Sequence, residues 1–149
     1  MSEKVRNLPE IKVKKLINGV KLPKFATSGS AGADVYSQED KTLEPGERYI
    51  FGLGFSCAVP EDYALLVCSR SGMSLRGLIV ANQPGIIDSD YREQIGVILW
   101  NTTNSPVTIH DGDRIAQLML VPAYPFCMEI VDELDETSRK GGFGSTGKG

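Results

Sequence analysis

The chain has 149 residues, 41% hydrophobic and 23% charged, with a formal net charge of -3, which makes one domain able to bury roughly two thirds of its unfolded surface. A pI near 5.2 argues against nucleic acid or an anionic membrane surface as the main partner, so an acidic ligand has to be met by a few placed cations. The apolar runs are far shorter than the ~20 residues that span a bilayer, and Met1-Ser2-Glu3-Lys4-Val5-Arg6 lacks the apolar stretch of a signal peptide, so the expectation is an intracellular, soluble, cytoplasmic protein. Period-two or continuous apolar runs predict strands at residues 11–16, 48–59, 63–68, 78–82, 94–101, 107–110 and 114–121. Turn formers stand between them: Ser28-Gly29-Ser30, Glu44-Pro45-Gly46, Pro60-Glu61-Asp62, Gln83-Pro84-Gly85, Thr103-Asn104-Ser105-Pro106 and Asp111-Gly112-Asp113. Only residues 72–76 read as a helical turn, and residues 129–136 read as a charged connecting arm. Many short strands at near-regular spacing indicate an all-β sandwich, jelly roll or small barrel. From Thr137 the chain is rich in Gly, Ser and Thr, the composition of a mobile C-terminal arm.

Three cysteines, Cys57, Cys68 and Cys127, have apolar neighbours and form no Cys-x-x-Cys pair, so buried free thiols are expected. The only histidine, His110, precedes Asp111-Gly112-Asp113 as a turn residue, and one His without a Cys cluster does not build a zinc site.

The densest chemistry lies in Gly85-Ile86-Ile87-Asp88-Ser89-Asp90-Tyr91-Arg92, which gathers two carboxylates, a phenol and a guanidinium on one connection between apolar strands. Loops on a rigid scaffold are where catalytic groups sit, and Asx and Ser side chains also serve plain turns; both readings stand at this point. Ser69-Arg70-Ser71-Gly72-Met73 enters the helical turn with a hydroxyl and a guanidinium beside unpaired N–H groups, an anion-binding arrangement compatible with Ser71 capping its own turn. The tail Gly141-Gly142-Phe143-Gly144-Ser145-Thr146-Gly147-Lys148-Gly149 approaches a Walker A loop but has Gly149 where Ser or Thr is required and no strand leading in. Its glycines, Ser145, Thr146 and nearby cations still suit phosphate, and Phe143 suits stacking on a flat ligand.

Five segments in order carry a family resemblance: Ala31-Gly32-Ala33-Asp34-Val35-Tyr36-Ser37, Arg70-Ser71-Gly72, the Gly85 to Arg92 segment, Gly112-Asp113-Arg114-Ile115-Ala116-Gln117-Leu118, and Gly141-Gly142-Phe143-Gly144-Ser145-Thr146-Gly147. From about residue 10 to the C-terminus the chain resembles the trimeric dUTP diphosphatases. The resemblance implies a jelly-roll-like distorted β-barrel over residues 1–136 and an arm over 137–149 that closes an active site of a homotrimer. It implies hydrolysis of dUTP to dUMP and diphosphate, which lowers dUTP and supplies dUMP for thymidylate synthesis. By the same analogy Asp88 activates a water for attack on the α-phosphorus, and Gln117 helps hold the phosphates and the water. Asn82 and the backbone at Gly96 read the uracil edge, Ile86, Ile87 and Tyr91 complete the base and sugar pocket, and Tyr91 excludes a ribose 2′-hydroxyl. Arg70, Ser71 and Gly72 bind phosphates, joined by Arg139, Gly144, Ser145 and Thr146 as Phe143 stacks on the base. Mg2+ is held mainly by the phosphates and by water, with Asp34 an outer-shell contact at most.

The chain departs from the family pattern at three places. Glu93 stands where Gly is usual, Ser69 where Pro or Ala is common, and the arm arginine is one residue nearer Phe143, so Arg139 and Lys140 are both placed for the terminal phosphate. Asp90 with Arg92, and Asp113 with Arg114, are expected to form ion pairs that hold a loop or the trimer. Two other functions fit the scaffold. A dCTP deaminase calls for Arg-Ser-Ser and a Pro-Gly-Phe-Glu turn, where this chain has Arg70-Ser71-Gly72 and Ser89-Asp90-Tyr91-Arg92. The other, a nucleotide-responsive interaction protein, is separable by turnover and by partner capture with non-hydrolysable dUTP.

Overall fold

Alternation of buried and exposed residues sets the strands. In β9 (Gly96–Asn101) Val97, Leu99 and Asn101 point inward and their neighbours outward, the period-two pattern of a sheet with one buried face. The computed structural model describes residues 7–144. Its remaining strands are β1 (Lys12–Lys15), β2 (Ala33–Tyr36), β3 (Lys41–Leu43), β4 (Arg48–Gly52), β5 (Phe55–Ala58), β6 (Tyr63–Cys68), β7 (Leu78–Val80), β8 (Gly85–Ile87), β10 (Val107–Ile109) and β11 (Arg114–Pro122), with one short helix, α1 (Ser71–Leu75).

All pairings are antiparallel. A four-stranded sheet runs β2-β11-β6-β8, a three-stranded sheet runs β4-β9-β7, and β1-β5 and β10-β3 form two further two-stranded sheets. The result is a jelly-roll-like distorted barrel around Leu43, Phe51, Leu53, Phe55, Leu78, Leu99, Ile109 and Ile115, each 2% exposed or less. No helix among the described residues is long and apolar enough to cross a membrane.

The strand expected over 48–59 is two strands. Gly54 takes φ +79, a left-handed conformation that glycine adopts freely, and the chain turns there so that β4 pairs with β9 while β5 pairs with β1. Three strands escaped the sequence reading, β2, β3 and β8, because each is only three or four residues long and two of them lie inside motif-bearing or polar stretches. The connection that holds Asp88 is therefore no simple hairpin between β7 and β9: those strands pair with each other, while β8 crosses to β6 in the other sheet.

The cysteines differ from the expectation. Cys57 is buried, Cys68 half-buried and Cys127 exposed, because Cys127 lies beyond β11 on a segment that leaves the barrel. Burial pushes the Cys57 thiol above its ordinary pKa, with Arg92 opposing weakly.

Candidate active site

Two clefts collect the polar residues singled out in the sequence. The first, of about 170 Å³, is lined by Asn82, Gly85, Ile86, Ile87, Asp88, Tyr91 and Gly96, with Val67, Ile95 and Ile98 behind them. Pairing of β8 with β6 in the register Val67↔Gly85 and Leu65↔Ile87 fixes one wall. A side chain at Gly85 would place its Cβ 3.2 Å from Val67 Cβ and 3.3 Å from Asn82 Nδ2, so glycine is what lets Asn82 lie close against that wall.

Asn82 follows β7, and its loop is anchored to the residue that follows β6. The Val80 N–H donates to Ser69 Oγ at 2.9 Å, and the Ser69 N–H donates to Gln83 Oε1 at 2.5 Å. Asp88 leaves the end of β8 into a turn closed by the Tyr91 N–H on the Asp88 carbonyl at 3.2 Å. Arg92 holds this turn through the backbone carbonyls of Ser89 at 2.6 Å and Tyr91 at 3.1 Å; the ion pair expected with Asp90 does not form among the described residues, because the guanidinium is spent on carbonyls.

The second cleft, of about 330 Å³, is lined by Ser30, Gly32, Asp34, Arg70, Ser71, Arg114 and Gln117. Asp34 Oδ1 accepts from Arg70 Nε at 3.0 Å, and Arg114 approaches its other oxygen at 3.7 Å. Two guanidiniums against one carboxylate leave the cleft positive, the balance a polyphosphate requires. The Gln117 Nε2 donates to the Ser69 carbonyl at 2.9 Å, which ties the two clefts to the same residue.

A β-bulge explains how Arg114 and Gln117 share this cleft. They are an odd number of residues apart, so a regular strand would turn them to opposite faces. The register of β11 on β2 shifts between Arg114 and Ala116, and both Ile115 and Ala116 point inward, so the extra residue restores Gln117 to the face of Arg114. Opposite it, a Cβ on Gly32 would fall 2.5 Å from Gln117 Oε1, so glycine there makes room for the amide.

Ser71 does not cap its turn as expected. It is the first residue of α1, Arg70 is the N-cap, and no side chain caps the helix start. Ser71 lines the cleft, and no side chain takes up the leading backbone N–H groups of α1.

The described part of the arm is separate from both clefts. Arg139, Lys140 and Gly144 are exposed, and Phe143 is fully exposed with φ +52; Ser145 and Thr146 lie outside the described residues. The residues that sequence reasoning missed are Ser69 as a hydrogen-bonding hub and Gln83 as its partner, and the only signal was their adjacency to Arg70 and Asn82. No group of three or more His, Cys, Asp or Glu among the described residues could hold a metal ion.

Comparison with known proteins gives the geometry its context. The dUTPase family model matches residues 18–147. A deoxyuridine 5'-triphosphate nucleotidohydrolase of Desulfotalea psychrophila is 47% identical over 130 residues, 85% of this chain and 87% of the relative. That of Zymomonas mobilis is 42% identical over 142 residues, 93% of this chain and 97% of the relative. Among solved structures, a Staphylococcus bacteriophage 80alpha dUTPase with dUpNHpp superposes with a TM-score of 0.82 at 27% identity, covering 93% of this chain and 98% of that one. An Asp-to-Asn mutant dUTPase from phage phi11 of S. aureus, solved for the coordination of a structural Mg(II) ion, gives a TM-score of 0.78 at 25% identity over 85% of this chain and 99% of its own. With the family model matched over most of its length, and curated relatives aligned nearly end to end, the chain belongs to the dUTPase family of deoxyuridine triphosphate hydrolases.

Proposed function

We propose that Asp88 is the general base that draws a proton from water for attack on the α-phosphorus of dUTP. The observation that carries this reading is its placement: the carboxylate is exposed in the pocket beside Asn82 and Tyr91, and makes no ion pair among the described residues. Attack forms the new P–O bond and breaks the bond from the α-phosphorus to the bridging oxygen, giving dUMP and diphosphate, with the proton passing to Asp88. A positioned base is worth roughly 10²–10⁴-fold in rate. Asn82 and the Gly96 backbone read the base edge, and Ile86, Ile87 and Tyr91 shape the sugar pocket. Arg70, Ser71, Gly72 and Gln117 bind phosphate and offset charge developing on the departing diphosphate; Arg139, Phe143, Gly144, Ser145 and Thr146 join from the arm.

The donor set fits a magnesium ion that arrives with the substrate. Asp34 is engaged by Arg70 and Arg114, so it would reach such an ion through water at most, and the substrate's phosphates would supply the direct ligands, as Mg2+ sites commonly do. When bound, the ion neutralises phosphate charge.

The chain works as a homotrimer. Beyond β11 the segment has no regular secondary structure and is uncovered, with Tyr124, Phe126, Met128 and Ile130 80–97% exposed at every second position, an apolar run in need of a cover. An apolar groove of about 580 Å³ lined by Ile11, Leu22, Phe25, Tyr63, Leu118 and Leu120 complements it on the barrel. Neighbouring copies supply both covers and complete each site, and the number three comes from the family resemblance.

The test is to incubate the protein with magnesium and, separately, dUTP, dCTP, dTTP and UTP, while measuring its mass in solution. Rapid dUMP and diphosphate from dUTP alone, by a species of three chains, is the expected result. Intact dUTP bound tightly points to a sensor, and deamination of dCTP to the related deaminases.

A further inference from the structure

The geometry points to Gln94 as a positioning residue that sets the tyrosine platform of the nucleotide pocket and so the preference for a deoxyribose; the inference rests on the proposed placement of Tyr91 under the sugar. Tyr91 is 39% exposed, and among the described residues its hydroxyl has one hydrogen-bond partner: the O–H donates to the backbone carbonyl of Gln94 at 2.9 Å. The ring is therefore as well placed as Gln94 is.

Gln94 is held from two directions. Its Oε1 accepts the Gly54 N–H at 2.9 Å, at the corner where the chain passes from β4 to β5. Its carboxamide fills the space over Gly52, where a Cβ would come within 2.9 Å of both Oε1 and Nε2. The next residue continues the clamp: the Ile95 N–H donates to the Phe55 carbonyl at 3.0 Å, the Leu53 N–H to the Ile95 carbonyl at 2.9 Å, and Ile95 is 1% exposed. Gln94 is thus the last point at which the loop from Asp88 is fastened to the barrel through a side chain. Only the acceptor oxygen has a partner among the described residues, so the amide nitrogen is dispensable to the clamp and a carboxylate can take its place.

Steady-state kinetics on dUTP and UTP, with hydrogen exchange over residues 88–95, tests this in wild type, Gln94→Leu, Gln94→Glu, Gly52→Ala and Tyr91→Leu. Gln94→Leu should raise KM for dUTP about tenfold with kcat within about threefold, lower the dUTP over UTP preference by a similar factor, and speed exchange in the loop. Gly52→Ala pushes the carboxamide out while keeping Gln94, so it should show the same pattern and stands in if Gln94→Leu fails to fold. Gln94→Glu should restore wild-type KM and preference. A lower melting temperature with unchanged KM and preference in Gln94→Leu and Gly52→Ala overturns the proposal. If Tyr91→Leu loses the preference while both of those variants keep it, only the role of Gln94 is overturned; if Tyr91→Leu keeps it too, the placement of Tyr91 falls and this inference with it.

Discussion

Arg70 Nε donates to Asp34 Oδ1 at 3.0 Å, with the two side chains 24% and 13% exposed. The pair joins β2 to the start of α1, and the Arg70 Nη1 also reaches the Arg114 carbonyl at 3.4 Å. The guanidinium is thereby fixed along the wall of the positive cleft by contacts within the protein.

Replacing Asp34 by Ala should release Arg70 and leave two guanidiniums facing each other. We expect a stability loss of about 1.5–3 kcal/mol in urea unfolding, the range for hydrogen bonds to charged groups, and a lower kcat/KM for dUTP. Asp34→Asn, which keeps an acceptor, should recover most of the stability.

Asp88→Asn should keep the fold and nucleotide affinity, since the carboxylate supports no packing, while turnover falls about 10²–10⁴-fold. Calorimetric titration with a non-hydrolysable dUTP analogue and a product assay check the two halves. Turnover near wild type would exclude Asp88 as the base.

Gly32→Ala puts a methyl into the space held by the Gln117 amide, 2.5 Å from its Oε1. The flexible amide gives way, so the thermal midpoint should move little, whereas kcat/KM should fall at least as far as in Gln117→Ala. Equal activity in Gly32→Ala and wild type would show that the present amide position is not the working one.

Asn101 is fully buried, yet satisfied: its Nδ2 donates to the carbonyls of Leu43 at 3.0 Å and Ser105 at 2.8 Å, and its Oδ1 accepts from Thr103 N–H at 3.0 Å and Oγ1 at 2.7 Å. Asn101→Leu strands the buried Leu43 carbonyl and unties the half-buried Thr103 from this position, and should cost about 2–3 kcal/mol by urea unfolding, with KM for dUTP unchanged in the folded fraction.

Glu47 accepts the Glu44 N–H at 2.9 Å and pairs with Lys41 at 3.0 Å, and these contacts, the backbone bond first, hold its carboxyl below the ordinary value of 4.5. A depressed folded-state pKa adds stability that is present above the unfolded value and is lost as pH falls through the folded one. Urea midpoints should therefore drop between pH 5 and pH 3 by more in wild type than in Glu47→Gln.

Much of this was legible in the sequence where the signal is local. The runs that became β6, β9 and β11 are long enough for a continuous or alternating apolar pattern to mark them as strands, and the motifs at Asp34, Arg70, Asp88 and Gln117 mark residues that line the two clefts. Features that depend on partners distant in the chain were illegible. Nothing in Arg114-Ile115-Ala116-Gln117 announces a bulge, because the extra residue exists only relative to β2. The split at Gly54 depends on β9 and β1 claiming different halves of one apolar run. Arg92 reads as half of an ion pair until the turn geometry offers carbonyls that are nearer.

The order β2-β11-β6-β8 has a further consequence for how the protein comes into being. Asp34 meets Arg70 across 36 residues, and Gln117 meets the Ser69 carbonyl across 48, so the positive cleft has no local precursor. During synthesis β2 and β6 must wait for β11 to emerge and insert between them, and loop closure over such separations is slow compared with hairpin formation. The cleft is therefore completed late, after most of the barrel has been translated, and a fragment ending before β11 lacks both Arg114 and Gln117 from its wall.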